Sequence, residues 1–303
     1  MKSTKTLINL FMILLVIISA GCINTEDTSS NTIPVPTEYS HFLNVHIIDV
    51  GQGDAILLEH NGKTMLIDGG DRNKGTAVTN YLKNEGITSL DYVVATHPHA
   101  DHIGGLVDVV QTYPVGMYID NGIPHTSKTY ESLMTLVDKK DIPYHTATQG
   151  EIINLSNDVS LIVLNPGPNK HTDLNEDSIV LKLNYGNFDM LLMGDAGIET
   201  EKELLIERNS LIVDILKIGH HGSTSATGTQ FLSATRSRML IICVGENNDY
   251  GHPHSQVMDR IALTGAKLFR TDQHGNILIK TNGDIIKITT TKGTVEPYYE
   301  RGI

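Results

Sequence analysis

Four side chains capable of holding a metal ion fall within six residues, His97-Pro98-His99-Ala100-Asp101-His102. They follow an apolar, strand-like stretch from Asp91 to Thr96 and precede Ile103-Gly104-Gly105, which reads as a turn into a helix. Side chains alternate along a strand, so His97 and His99 point the same way. Asp101 and His102 fall on the following turn and first helical residue, and aim at a second place a few ångströms away. Imidazole and carboxylate suit zinc, manganese or iron, and the two directions suit two ions rather than one. A merely solvated polar loop accounts for neither the spacing nor the context.

Such a loop needs a rigid frame. Residues 43–50, 55–59 and 63–67 read as strands, the last two joined at Asn61-Gly62, a strong hairpin signal. Helical periodicity runs over 76–85 and ends at Gly86; further helices are expected over 103–111, 127–139, 197–208 and 255–263. Strands are expected at 118–119, 152–153, 159–164, 179–183, 188–193, 211–218 and 239–244, then near 268–272 and 275–277, with a last turn at Gly283-Asp284. Strands alternating with helices and interrupted by hairpins predict mixed sheets with outer helices. Polar groups recur at strand ends: Asp68-Gly69-Gly70, Gly194-Asp195-Ala196, Gly219-His220-His221-Gly222 and Gly251-His252-Pro253-His254. Asp195 also suits a helix N-cap. Lys217 reads equally well as core edge or pocket.

The run from His97 to His102 behind a hydrophobic strand resembles the signature of the metallo-β-lactamase fold superfamily. Four more motifs resemble the metallohydrolase domain of the competence protein ComEC and its free-standing relatives: Asp49-Val50-Gly51-Gln52-Gly53-Asp54, Asn175-x-x-Ser178, Gly251-His252-Pro253-His254 and Thr271-Asp272-x-x-Gly275-x-Ile277. The resemblance spans roughly Leu43 to Ile288. It implies a four-layer αββα sandwich (an α/β, α+β fold) with the site at one edge between the sheets. It implies that His97 and His99 hold one ion, that Asp101, His102 and one of His220 and His221 hold the other, and that Asp195 bridges them. Gly-His at a strand end favours His220, leaving His221 to face substrate, although the two roles can be exchanged. Asp68 would support the histidine loop by hydrogen bonds.

Most members carry a further histidine where this chain has Asn175 and Ser178, so the first ion would be held more loosely and accept manganese as readily as zinc. His171 is a candidate replacement. Asn175 would bond a ligand water or a substrate oxygen, and His252 and His254 would contact a phosphate oxygen or protonate a leaving group. The implied activity is that of a binuclear metal-dependent hydrolase, a phosphodiesterase or nuclease. Two divalent ions, zinc or manganese, would generate the attacking hydroxide between them, with Asp101, His221 and His254 as catalytic groups. The substrate is a phosphate ester, DNA or a nucleotide among the candidates. Alternatives are a lactam, lactone or thioester hydrolase, or a non-catalytic lipid-anchored nucleotide-binding protein.

Composition narrows the partners. Among 303 residues the formal charge is −12, which repels polyphosphate and excludes tight nucleic-acid binding by global charge. The two cysteines, Cys22 and Cys243, make no disulfide framework, and Cys243 sits in an apolar run as a core thiol. Lys2 and Lys5 precede an apolar run from Leu7 to Ala20, shorter than the roughly 20 residues of a membrane span. Ser19-Ala20-Gly21-Cys22 then resembles a lipoprotein box, with Ser19 where leucine is usual. The expected organisation is a signal peptide over 1–21, a lipid-modified Cys22, a flexible tether over 22–40 and a hydrolase domain over 41–303. The mature protein would be extracytoplasmic and lipid-anchored to the cell membrane.

Overall fold

In β1 (Leu43–Ile47), β2 (Ile56–His60) and β3 (Lys63–Ile67), alternate residues enter different layers. Val45, Ile47, Leu58 and Met65 face one apolar core, whereas Leu57 and Leu66 face another. Apolar residues on both faces call for a sheet covered on both sides. The computed structural model describes residues 42–168, 170–206 and 211–293 and the backbone of 299–300, all within one compact unit, Glu38–Ile303. The expected signal peptide, Cys22 and the tether lie outside the described residues.

The first sheet adds β4 (Leu90–Ala95), β5 (Val115–Asp120), β6 (Tyr144–Thr146), β14 (Ile277–Thr281), β15 (Ile285–Thr290) and β16 (Tyr299–Glu300). Its order is β16-β15-β14-β1-β2-β3-β4-β5-β6. The second holds β7 (Ile152–Asn154), β8 (Val159–Asn165), β9 (Val180–Tyr185), β10 (Phe188–Leu192), β11 (Ile215–Lys217), β12 (Met239–Ile242) and β13 (Lys267–Arg270). Its order is β13-β12-β11-β10-β9-β8-β7. Between the sheets lies a core that includes Val45, Ile47, Met65, Leu181, Met190, Ile241 and Phe269.

Helices cover both outer faces. Val78 and Leu82 of α1 (Gly75–Asn84), Ile103 of α2 (Ala100–Ile103), Leu106 and Val109 of α3 (Leu106–Thr112), and Leu133 and Val137 of α4 (Lys128–Lys139) pack on the first sheet. Leu204 of α5 (Ile198–Ile206), Phe231 of α6 (Thr229–Thr235), and Val257 and Ile261 of α7 (Ser255–Ala262) pack on the second. A single turn, α8 (Thr271–His274), follows β13. The result is the αββα sandwich.

Both sheets change from antiparallel to parallel pairing near one edge. Strands β1, β2 and β3 pair antiparallel, but β3–β4 and β4–β5 are parallel. Likewise β9–β10 is antiparallel, whereas β10–β11 and β11–β12 are parallel. The histidine loop follows β4, Asp195 follows β10 and the His220-His221 pair follows β11. All the candidate ligands thus leave the carboxyl ends of parallel strands, where open α/β sheets bind their ligands.

The β2–β3 hairpin forms at Asn61 (φ 51°) and Gly62 (φ 74°), the left-handed pair of a two-residue turn. Two expectations are corrected. The helix over 103–111 is broken at Gly104-Gly105 into α2 and α3, because the His102 carbonyl accepts the Gly69 amide and the Gly105 amide donates to the Gly70 carbonyl instead of to helical partners. The strand over 211–218 shrinks to β11, because the Val213 and Asp214 amides donate to Thr235 and Asp189 carbonyls instead. Strand β6 and helix α6 were not expected.

Candidate metal centre

Asp68 organises the loop. It follows β3 in the left-handed region (φ 58°) and is fully buried. Its carboxylate accepts the Thr96 amide (2.8 Å), the Thr96 hydroxyl (2.7 Å) and His102 Nδ1–H (2.7 Å). The Thr96 hydroxyl, having donated to Asp68, is the acceptor for His97 Nδ1–H at 3.1 Å. On the other side, His221 Nδ1 lies 2.8 Å from the Cys243 carbonyl, which can only accept. These bonds fix each Nδ1 as the donor, so Nε2 of His97, His102 and His221 is the nitrogen available to a metal.

Those nitrogens converge on Asp195, which is buried beyond β10. Asp195 Oδ2 lies 3.2 Å from His102 Nε2 and 3.8 Å from His97 Nε2, and Oδ1 lies 3.3 Å from His221 Nε2. On one side His97 Nε2 and His99 Nδ1 are 3.1 Å apart. On the other, His102 Nε2 and His221 Nε2 are 3.3 Å apart, with Asp101 Oδ2 at 3.5 Å from His221. One ligand atom from each of Asp101, His102, Asp195 and His221 fits within 4.8 Å of all the others. Donor atoms this close need cations among them, protons or a metal ion, and Asp195 Oδ1 is buried with only the His221 imidazole, 3.3 Å away, to face it. Four imidazoles and two carboxylates are the donor set of divalent transition ions, and the residues fit such a group.

Charge distribution agrees. Burial disfavours the imidazolium of His102, but Asp195, Asp68 and Asp101 outweigh it and hold its pKa well above the ordinary value. Burial likewise opposes His221, yet Asp195 and Asp101 push it up to about 9. Burial also opposes ionisation of Asp195, which His102 and His221 nevertheless hold well below the carboxylate range. Burial and the neighbouring His102 depress His97, so it stays neutral.

In the metal-free chain, then, protons on His102 and His221 balance the carboxylates. Because the folded pKa of His221 is raised, its contribution to stability is complete below the unfolded value near 6.5 and is lost as pH rises through about 9. A metal must displace those protons. The apparent metal affinity should therefore rise across that window, by up to roughly tenfold per pH unit for each proton released. Titration calorimetry in buffers of different ionisation enthalpy should record proton release. An affinity flat from pH 6.5 to 9 would contradict this arrangement.

The structure reverses the favoured choice between His220 and His221. His221 is buried in the cluster, whereas His220 sits at the rim, its Nδ1 on Ser225 Oγ (3.0 Å) and its Nε2 3.8 Å from Asp195 Oδ2. The cause is backbone geometry. Both residues are left-handed (φ 45° and 52°), and this turn swings the second side chain inward. Two consecutive non-glycine residues in that region cost about 1–2 kcal/mol each, strain typical of functional sites. His254 is also displaced from its expected place. It is the N-cap residue of α7, and its Nδ1 accepts the Thr224 amide (3.0 Å), so His252 faces the site instead.

A cavity of about 360 Å³ opens above the cluster, with Asp101, Asp195 and His221 in its floor and Gln52, Asn175, His220, Tyr250 and His252 in its walls. Burial and the adjacent histidines lower His252 to about 4; burial also lowers His220. Both rings are neutral near pH 7. Ser178 Oγ accepts the Asp195 amide (3.2 Å), while Asn175 Oδ1, though buried, has no partner among the described residues. His171 is engaged elsewhere, 3.0 Å from Asp177 and 3.6 Å from Glu203. A larger cavity of about 500 Å³, along the β2–β3 hairpin, contains none of these candidate ligands.

Asp54 and Tyr250 were not singled out from sequence. Asp54 forms a fully buried ion pair with Lys217, and its Oδ1 lies 3.6 Å from His221 Nδ1. Charged residues 163 positions apart carry no local signal of pairing. Gly53, beside Asp54 in the Asp49–Asp54 motif, explains its own residue type. Its φ is 117°, and a Cβ there would overlap the Asp101 carbonyl, so the turn before Asp54 can approach the metal loop only as glycine.

Replacing Asp68 by asparagine should turn an NH₂ group toward the His102 Nδ1–H or the Thr96 hydroxyl. The expected outcome is a metal affinity lower by about 10–100-fold, measured by competition with a chromophoric chelator. Unchanged affinity would show that Asp68 does not orient the ligands.

The sequence comparisons agree with this architecture. A family model described as the metallo-beta-lactamase superfamily matches residues 48–246, and the chain belongs to that superfamily. Its relatives are of the ComEC type. It is 27% identical to ComE operon protein 3 of Bacillus subtilis over 77% of this chain and 32% of that protein. It is 29% identical to recombination protein 2 of Haemophilus influenzae over 86% of this chain and 31% of that protein. The chain thus spans about a third of the length of these relatives. Among solved structures, the metallo-beta-lactamase fold protein YhfI from Bacillus subtilis superposes with a TM-score of 0.53 at 13% identity, covering 80% of this chain and all of that one. In fold and in candidate metal ligands the chain matches this superfamily.

Proposed function

We propose that the protein is a binuclear phosphodiesterase, with zinc or manganese as its ions. The carrying observation is buried Asp195, set between the His97–His99 pair and the Asp101–His102–His221 group beneath an open cavity. Two divalent ions in such a site polarise phosphoryl oxygens and lower the pKa of the attacking water. His97 and His99 would hold one, Asp101, His102 and His221 the other, and Asp195 both. Neutral His220 and His252 and the Asn175 amide line the cavity and would bond substrate oxygens there. No cysteine, serine or lysine lines it among the described residues, which suits attack by water rather than by a protein nucleophile. Relatives named for competence and recombination support nucleic acid or its fragments as the substrate class.

The test is metal-stripped protein resupplied with zinc or manganese and assayed on bis-p-nitrophenyl phosphate, single-stranded DNA and nitrocefin. Metal-dependent phosphodiester turnover is expected. His99→Ala should cost more than the roughly 10–100-fold of an outer-layer change. Nitrocefin turnover without phosphodiester cleavage would assign the lactam class instead, and tight metal binding without any turnover would make the chain a binding protein.

We also propose that Cys22 carries lipid and holds the enzyme at the membrane, outside the cytoplasm. The support is the basic, apolar, small-residue sequence ending at Cys22. Among the described residues no helix is long and apolar enough to cross a membrane. Labelled fatty acid incorporated into the expressed protein but not into Cys22→Ser supports the anchor, and label retained in that variant overturns it.

A further inference from the structure

Tyr250 and His252 line one side of the cavity, and the Asn248 side chain braces the loop that carries them. Asn248 Nδ2 donates to the carbonyls of Gly245 (3.0 Å) and His252 (2.7 Å), while its Oδ1 accepts the amides of Tyr250 (3.2 Å) and His252 (3.0 Å). Four bonds from one amide pre-organise a loop that would otherwise have to be ordered on binding. On it Tyr250 is 63% exposed. Its ring lies 20° from parallel to that of His252, with centroids 5.6 Å apart. Among the exposed large hydrophobic residues described, Tyr250 alone lines this cavity.

A flat aromatic face fixed at the rim of a polar site is a stacking surface. Near-parallel rings suit a planar aromatic ligand. The His252 ring is also 6.4 Å from that of His221, so the platform runs from the metal cluster outward. We propose that Tyr250, backed by His252, is a nucleobase-binding subsite, and that the phosphate ester taken by this site belongs to a nucleotide or the end of a single strand. No lysine or arginine lines the cavity among the described residues, and the chain is acidic overall, so recognition by stacking replaces recognition of a long backbone. The inference rests on reading the cluster below as a phosphate site.

The test is equilibrium binding, independent of turnover. Full-length protein supplied with zinc is titrated calorimetrically with thymidine 5′-monophosphate and with 2-deoxyribose 5-phosphate, which lacks only the base. A stacked base should tighten binding by about tenfold. That preference should survive in Tyr250→Phe and fall to within about twofold in Tyr250→Ala and Tyr250→Leu. Thermal melts of each variant show that it is folded; the leucine variant keeps the bulk of the side chain should alanine not tolerate the site. Equal affinity of the parent protein for both ligands, no binding of either, or a preference that persists in Tyr250→Ala would overturn the proposal. A base preference in a protein that hydrolyses no phosphodiester would overturn the hydrolase reading and leave the subsite standing.

Discussion

Under the proposed binuclear phosphodiesterase reading, Asp195→Ala is expected to lose at least one ion and to lower phosphodiester turnover by about 10⁴-fold, equivalent to about 5.5 kcal/mol of transition-state stabilisation. The size follows from position. Asp195 Oδ2 faces His97 and His102, and Oδ1 faces His221, so one residue supplies the anionic contact to both histidine sets. An unpaired carboxylate this deeply buried would be severely destabilising unless cations compensated it. Without it, the nitrogens crowded at 3.3 Å have no negative centre between them. Asp195→Asn keeps the shape, but it offers one neutral oxygen in place of two charged ones, and the same loss is expected within tenfold. Metal content by mass spectrometry and turnover on one substrate check both variants. Two ions per chain and activity within tenfold of the parent would exclude a bridging role.

Lys217→Ala should destabilise the fold by about 3–5 kcal/mol, because it leaves the Asp54 carboxylate charged and buried without its partner. For a domain of this size that lowers the melting temperature by roughly 10 °C. The Lys217 ammonium, fully buried and ion-paired with Asp54, also donates to the Gly194 carbonyl at 3.1 Å, one residue before Asp195. Burial alone would lower the pKa of Lys217, and Asp54 more than reverses this, so the Lys217 ammonium keeps its charge at every working pH. Replacing both partners, Asp54→Leu with Lys217→Met, removes the uncompensated charge and should recover most of the stability. Metal affinity should not recover, since Asp54 also lies 3.6 Å from the imidazole of His221. Urea unfolding with and without metal separates the two effects. A single variant that melts within a few degrees of the parent would show the pair to be dispensable.

Local rules made much of this legible. Six residues after a strand announced the ligand loop because spacing and strand alternation are local properties, and Asn61-Gly62 announced its hairpin through backbone preference alone. Properties that depend on tertiary partners were not legible. The exchange of His220 and His221 follows from a left-handed pair that no residue type demands, and the break in the helix after Ile103 follows from backbone bonds to Gly69 and Gly70, remote in sequence. The short helix Thr229–Thr235 has its preceding turn tied by buried Glu201, which accepts the amides of Thr227 and Gly228. Tyr250 escaped notice because an exposed tyrosine has no pattern until the cavity beside it exists.

Anomalous diffraction from crystals grown with zinc or manganese tests the central claim most directly. The arrangement predicts two peaks about 3.5–4 Å apart. One should lie against His97 and His99, the other against Asp101, His102 and His221, with Asp195 touching both. A single ion at saturating metal, or a second peak away from Asp195, would contradict it.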